Sequence, residues 1–88
     1  MRKQKISEKL LKVLSKLQKK DKTRFIITLK KINEVMNSPD LNHYKNLSND
    51  MKYFKRVHID SHFLLLFKIE GDVIKFEDLQ HHDTAYKI

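Results

Sequence analysis

The chain has no cysteine, one glycine and one proline among its 88 residues. Without thiols it cannot build a disulfide scaffold, an iron–sulfur cluster or a thiolate zinc site. A single glycine leaves no way to write the GxGxxG or GxxxxGK loops that cradle nucleotide phosphates. Long hydrophobic runs are missing too: the longest, Phe63-Leu64-Leu65-Leu66-Phe67, has five residues, where a membrane span needs ~20. Lys3, Lys5, Glu8 and Lys9 interrupt the N-terminal stretch, so no signal-peptide pattern is visible there. The expectation is one small domain over residues 1–88, soluble and cytoplasmic, with no membrane partner. A chain of this size hides only ~60–65% of its unfolded surface, so its stability margin is small.

Acidic residues are scarce where basic ones crowd. The formal charge is +8 and the sequence pI about 9.8, which favours polyanionic partners such as RNA, DNA, a ribosome or an acidic protein. Residues 1–38 hold twelve Lys/Arg against three Asp/Glu, whereas residues 39–88 hold seven against eight. Basicity returns locally at Lys45, Lys52, Lys55 and Arg56, which face only Asp50 in that stretch.

The periodicity of apolar residues divides the chain in two. Leu10, Leu11, Val13, Leu14 and Leu17 form a helical stripe over residues 7–20, with Ser7 as N-cap and Glu8 in the first turn. Asp21 can cap a second helix carrying Phe25, Ile26, Leu29, Ile32, Val35 and Met36, which Asn37-Ser38-Pro39-Asp40 stops. A helical hairpin follows. After residue 40 the period becomes two. In residues 53–59, Tyr53, Lys55, Val57 and Ile59 share one strand face, while Phe54, Arg56 and His58 share the other. Residues 63–69 are apolar on both faces, as in a central strand. Glu70-Gly71-Asp72 turns the chain into a third strand, Val73-Ile74-Lys75-Phe76, and residues 2–6 are a candidate edge strand. The fold class expected is α+β, an N-terminal helical hairpin packed on a small antiparallel β-sheet.

All five histidines fall after residue 42, and His58, His62, His81 and His82 sit at strand ends or turns. Imidazoles titrate near neutrality and suit proton transfer. The neighbouring cations Lys45, Lys52, Lys55 and Arg56 could hold phosphate oxygens or stabilise charge developing on phosphorus. Such a basic cleft meets the needs of metal-independent RNA cleavage, in which the 2′-hydroxyl is the nucleophile. Three other readings compete. His58-x3-His62 with His81-His82 is a conceivable all-histidine metal set, but with neither cysteine nor a well-spaced acidic partner no metal site is assigned. Each histidine could instead be a half-exposed surface residue. Or the chain could bind RNA without cutting it, Tyr44, Tyr53 and Phe54 stacking on bases.

The stretch from Lys45 to Tyr86 resembles the RelE/ParE toxin superfamily, particularly its RelE and YafQ-like mRNA interferases. The residues that carry the resemblance are Tyr44-Lys45-Asn46-Leu47, Tyr53-Phe54-Lys55-Arg56-Val57-His58-Ile59, His62-Phe63-Leu64-Leu65-Leu66-Phe67-Lys68-Ile69 and His81-His82-Asp83-Thr84-Ala85-Tyr86. His82 stands four residues before Tyr86, where YafQ-like members place a catalytic histidine. His58, three residues after Lys55, matches a second active-site histidine of that branch. His62 falls where that branch has an acidic residue, and Lys45 where it has a histidine. RelE proper usually has arginines at the positions of Phe63 and His82, so this chain looks more similar to the YafQ branch.

The resemblance implies a type II toxin–antitoxin toxin that cuts mRNA on the ribosome without a cofactor. Its catalytic residues would be His82, His58, His62, Tyr86 and Lys45, with Arg56, Lys52 and Lys55 on RNA phosphates. It also implies a small RelB-like antitoxin as partner, besides ribosome and mRNA. A ParE-type gyrase inhibitor and a non-catalytic RNA- or ribosome-binding module are the alternatives.

Overall fold

The computed structural model describes residues 2–46 and 54–81. Two capping residues organise the N-terminal half. Ser7 accepts a hydrogen bond from the Leu10 N–H at 3.0 Å and so opens helix α1, Glu8–Lys20. Asp21 closes α1 through its N–H to the Leu17 carbonyl, 2.8 Å, and opens α2, Lys22–Met36, by accepting from the Arg24 N–H at 3.2 Å. One residue thus serves both helix ends, which makes the hairpin tight. A short 3-10 turn, Leu41–His43, follows Pro39.

Four strands make up the sheet: β1 Lys3–Ile6, β2 Lys55–His58, β3 Phe63–Glu70 and β4 Val73–His81, in the order β1-β4-β3-β2. The meander β2-β3-β4 is antiparallel, as expected. The candidate edge strand is present but runs parallel to β4, so the sheet is mixed rather than wholly antiparallel. The reason is topological: α1 and α2 lie between β1 and the meander, so no hairpin constrains β1 to run antiparallel. The Ser7 N–H and hydroxyl bond the carbonyls of Phe76 and Glu77 at 2.9 and 2.5 Å, anchoring the strand-to-helix junction on β4. Arg2 donates to the carbonyls of Met36 and Ser38, tying the start of β1 to the end of α2. At the β3–β4 turn Gly71 has φ 62, a left-handed value that suits tight hairpins.

β4 continues five residues beyond the expected end at Phe76. The register shifts opposite Leu66 and Phe67, so that Glu77 is an extra residue between the pairs Phe67–Phe76 and Leu66–Asp78. This bulge inverts the alternation. Ile74 and Phe76 face the helices before it, and Leu79 does so after it. The core joins these residues with Leu65, Phe67, Ile59 and Tyr44 to Leu10 and Leu14 of α1 and Ile32 and Val35 of α2. Phe67 is fully buried, with Tyr44 edge-on at 5.4 Å and Phe76 at 5.8 Å. The buried Thr28 hydroxyl is satisfied by the Arg24 carbonyl, 2.8 Å away.

Candidate active site

Because side chains alternate along a strand, the pairing register assigns each β2 residue to a face. Lys55 pairs with Phe67 and Val57 with Leu65, so both lie on the helix side. Arg56 pairs with Leu66 and His58 with Leu64, which places them together on the outer face. Two residues of one strand on one face stand about 6.6 Å apart, a spacing that lets a guanidinium and an imidazole address one phosphate group.

The segment 44–46 runs beside β2 and completes a cleft. Asn46 bridges Lys55, and the Arg56 N–H donates to the Lys45 carbonyl at 3.0 Å. The Lys55 ammonium reaches the Tyr44 carbonyl and Asn46 Oδ1, both at 3.1 Å, and the Arg56 guanidinium donates to the Asn46 carbonyl at 3.1 Å. These bonds from the two cations hold the segment in place. The resulting cleft, about 280 Å³, is lined by His43, Tyr44, Lys45, Arg56, Val57 and His58. Lys45, Arg56 and His58, three residues predicted for the site, therefore converge. Lys55 lies on the other face of β2 and anchors the cleft wall. Lys52, His82 and Tyr86 lie outside the described residues, as does Tyr53.

Tyr44 does not offer a base-stacking surface. It is buried against Phe67, and the His43 ring lies 4.0 Å away. An aromatic ring completing a small core gains more from burial than from exposure, which counts against the competing reading in which Tyr44 stacks on RNA. Phe54 is half-buried, with the Lys68 ammonium 5.6 Å from its ring centre.

The sequence reading missed two outer-face residues. Asp78 pairs with Leu66 in the row that carries Arg56, and Gln80 pairs with Leu64 in the row of His58. Asp78 is buried and bonded to Lys9 at 3.1 Å, to the Leu79 N–H at 2.9 Å and to Gln80 Nε2 at 2.9 Å. Gln80 Oε1 is the one buried side-chain oxygen or nitrogen without a hydrogen-bond partner among the described residues. It is an acceptor beside the His58 row. The sequence signal was Leu79, an apolar residue out of phase with Ile74 and Phe76.

At the same end of the sheet, Phe63 pairs with His81 on the helix-side face. The rings of His62 and His81 stack with centroids 6.0 Å apart, and Phe63 meets His81 edge-on at 5.3 Å. Asp60 holds this end together. Its Oδ1 accepts from the N–H groups of His62 and Phe63 at 2.8 and 3.0 Å, and its Oδ2 accepts from Arg24 Nε at 3.0 Å. Burial alone would raise the Asp60 pKa, but the backbone N–H groups of His62 and Phe63 and the Arg24 guanidinium together hold it below its ordinary 3.8. Arg24 also bonds Asp21 at 2.6 Å and lies 4.3 Å above the Phe63 ring. Among the described residues no three His, Asp or Glu side chains cluster as a metal set. No helix among them is long and apolar enough to cross a membrane.

No family model matches the chain. A curated relative from Methanocaldococcus jannaschii, named "Putative toxin RelE4", is 43% identical over 84 residues, covering 93% of this chain and 87% of the relative. The chain belongs to the RelE toxin family. An uncharacterized protein of Methanosarcina mazei is equally similar, 43% over 84 residues, with 93% and 95% covered. Solved structures of RelE-superfamily toxins share the fold. YafQ from E. coli strain BL21(DE3) superposes with a TM-score of 0.69 at 19% identity, over 98% of this chain and 99% of its own. The YoeB dimer from Staphylococcus aureus gives 0.77 at 13% identity, over 92% and 97%. Both are two helices and a small sheet in the arrangement described above.

Proposed function

We propose that this chain is the toxin of a type II toxin–antitoxin pair and an endoribonuclease that cuts mRNA on the ribosome. The observation that carries the proposal is the convergence of Lys45, Arg56 and His58 in one cleft along the β2 edge. A base takes the proton of the ribose 2′-hydroxyl, the oxygen attacks the adjacent phosphorus, and an acid returns a proton to the departing 5′-oxygen. His58 takes one of these roles and His82, assigned from the family resemblance, the other. Arg56 and Lys45 offset the charge that builds on the phosphate oxygens, with Lys52 as a further contact. Tyr86 orients the RNA, and His62, at the same end of the sheet, acts on the flanking nucleotide.

The reading places the protein in the cytoplasm, where ribosomes are, and pairs it with a small RelB-like antitoxin. Staphylococcus aureus YoeB has been solved in complex with YefM, and a partner of that kind would have to cover the basic cleft to silence it. The test is primer-extension mapping of a defined mRNA on programmed ribosomes, with wild-type protein and with His82→Ala. New cuts in the A-site codon that vanish in the variant are expected. Folded protein that leaves the message intact on ribosomes of its own source would overturn the nuclease reading and turn attention to gyrase or to binding alone.

A further inference from the structure

The cleft of Lys45, Arg56 and His58 does not stand alone. A second cavity, about 360 Å³, adjoins it and shares His43 and Tyr44 with its wall. Its other lining comes mainly from the end of α2, where Asn33, Glu34, Asn37 and Ser38 contribute. The two cavities differ in charge. The cleft holds Lys45 and Arg56, whereas no Lys or Arg lines the second cavity and Glu34 brings a carboxylate to it. A phosphate suits the first and is repelled by the second. What fits the second is a neutral group that carries its own hydrogen-bond donors and acceptors.

Local hydrogen bonds fix what this cavity offers such a group. The Asn37 amino group donates to the Asn33 carbonyl at 2.8 Å and to Asn33 Oδ1 at 3.1 Å, which uses both of its hydrogens. Turning either amide over would set like atoms against each other. The pair therefore leaves Asn37 Oδ1 as an acceptor and the Asn33 amino group as a donor. His43 supplies a flat surface beside them. Its Nδ1 donates to the Asp40 carbonyl, and its ring lies 4.0 Å from that of Tyr44 at an angle of 35°. Tyr44 is buried and His43 exposed, so the core backs one face of the imidazole and the other face is open. A donor and an acceptor next to an aromatic plane are the means by which proteins hold an unstacked base.

We infer that this cavity is a nucleobase subsite, in which a base stacks on His43 and sets its edge against Asn33 and Asn37 while its phosphate lies in the adjoining cleft. The inference rests on the RNA-directed reading above but not on cleavage. An edge that places a donor beside an acceptor, such as N6 and N7 of adenine, complements the amide pair. Arg2 steadies this wall of the subsite by donating to the carbonyls of Met36 and Ser38. Phosphate contacts position a nucleic acid without reading it, so the cleft contributes charge and the subsite contributes recognition of the base.

The experiment is a two-dimensional NMR titration with adenosine 5′-monophosphate and, separately, with ribose 5-phosphate, which has the sugar and phosphate but no base. Both should shift the backbone signals of Lys45 and Arg56, and only the nucleotide should shift the side-chain amide signals of Asn33 and Asn37. The nucleotide should bind about tenfold more tightly, the worth of one stacked base. His43→Ala should abolish that advantage, and His43→Phe, which restores a ring, should keep it. Asn37→Ala should reduce it, with far-ultraviolet circular dichroism unchanged. Equal affinity for the two probes, with Lys45 and Arg56 still shifting, would overturn the subsite and leave the cleft reading intact. An advantage that survives both His43→Ala and Asn37→Ala would overturn it too, since the base would then bind elsewhere. Nucleotide binding of the expected pattern by a chain that cuts no message on ribosomes would uphold the subsite and refute the nuclease reading alone.

Discussion

The two faces of the sheet are built from the same strands and do different work. On the helix side Leu65, Phe67, Ile74, Phe76 and Leu79 join the helices in one apolar cluster. On the outer face the same ladders display Arg56, His58, Lys68, Asp78 and Gln80, with Leu64 and Leu66 buried among them. A period of two lets each residue type be tuned for one face without disturbing the other. Substitutions on the helix side should therefore change stability, and those of Arg56 and His58 on the outer face should change chemistry.

The largest expected effect is on the helix side. Phe67→Ala removes a ring enclosed by Tyr44 and Phe76 and should cost about 3–5 kcal/mol, a large share of the roughly 5–15 kcal/mol a small domain has. A urea denaturation midpoint near that of the wild type would refute the assignment of this face as the core. Gly71→Ala comes next. Its added Cβ meets nothing within 4 Å, so the cost is the positive φ alone, about 1–2 kcal/mol. Gly71→Asn, which tolerates that conformation better, should recover part of the loss, and failure to do so would point to a steric cause instead.

The smallest effect concerns Asp60, in the turn between β2 and β3. Asp60→Asn keeps an acceptor for the His62 and Phe63 N–H groups but loses the charge opposite Arg24. Because the folded Asp60 pKa lies below 3.8, its stabilising contribution is complete above that value and is lost as pH falls through the lower folded one. The gap in denaturation midpoint between wild type and Asp60→Asn should thus be open at neutral pH and close in acid below 3.8. A gap that stays constant with pH would mean that the carboxylate charge contributes nothing.

How much of this was legible beforehand depends on whether the deciding interaction is local. The helices, the caps Ser7 and Asp21, the Gly71 turn and the division of β2 into a Val57 side and an Arg56–His58 side follow from neighbours in sequence. The parallel pairing of β1 with β4 did not, because it joins Lys3 to Val73 across most of the chain. Nor did the outward positions of Asp78 and Gln80, since one bulge at Glu77 reverses the parity on which a pattern argument depends. In the site, Arg56 and His58 were legible as a pair from alternation, and Lys45 as one of the local cations suited to phosphate. The anchoring role of Lys55 was not legible, because it depends on where the 44–46 segment comes to rest beside β2.

The division of labour between the faces is tested most directly by measuring His58→Ala for mRNA cleavage on programmed ribosomes and for urea stability in the same preparation. Loss of a general acid or base predicts a fall in cleavage of about a hundredfold or more, with the denaturation midpoint unmoved. Full cleavage by the folded variant, or a loss that simply tracks unfolding, would contradict it.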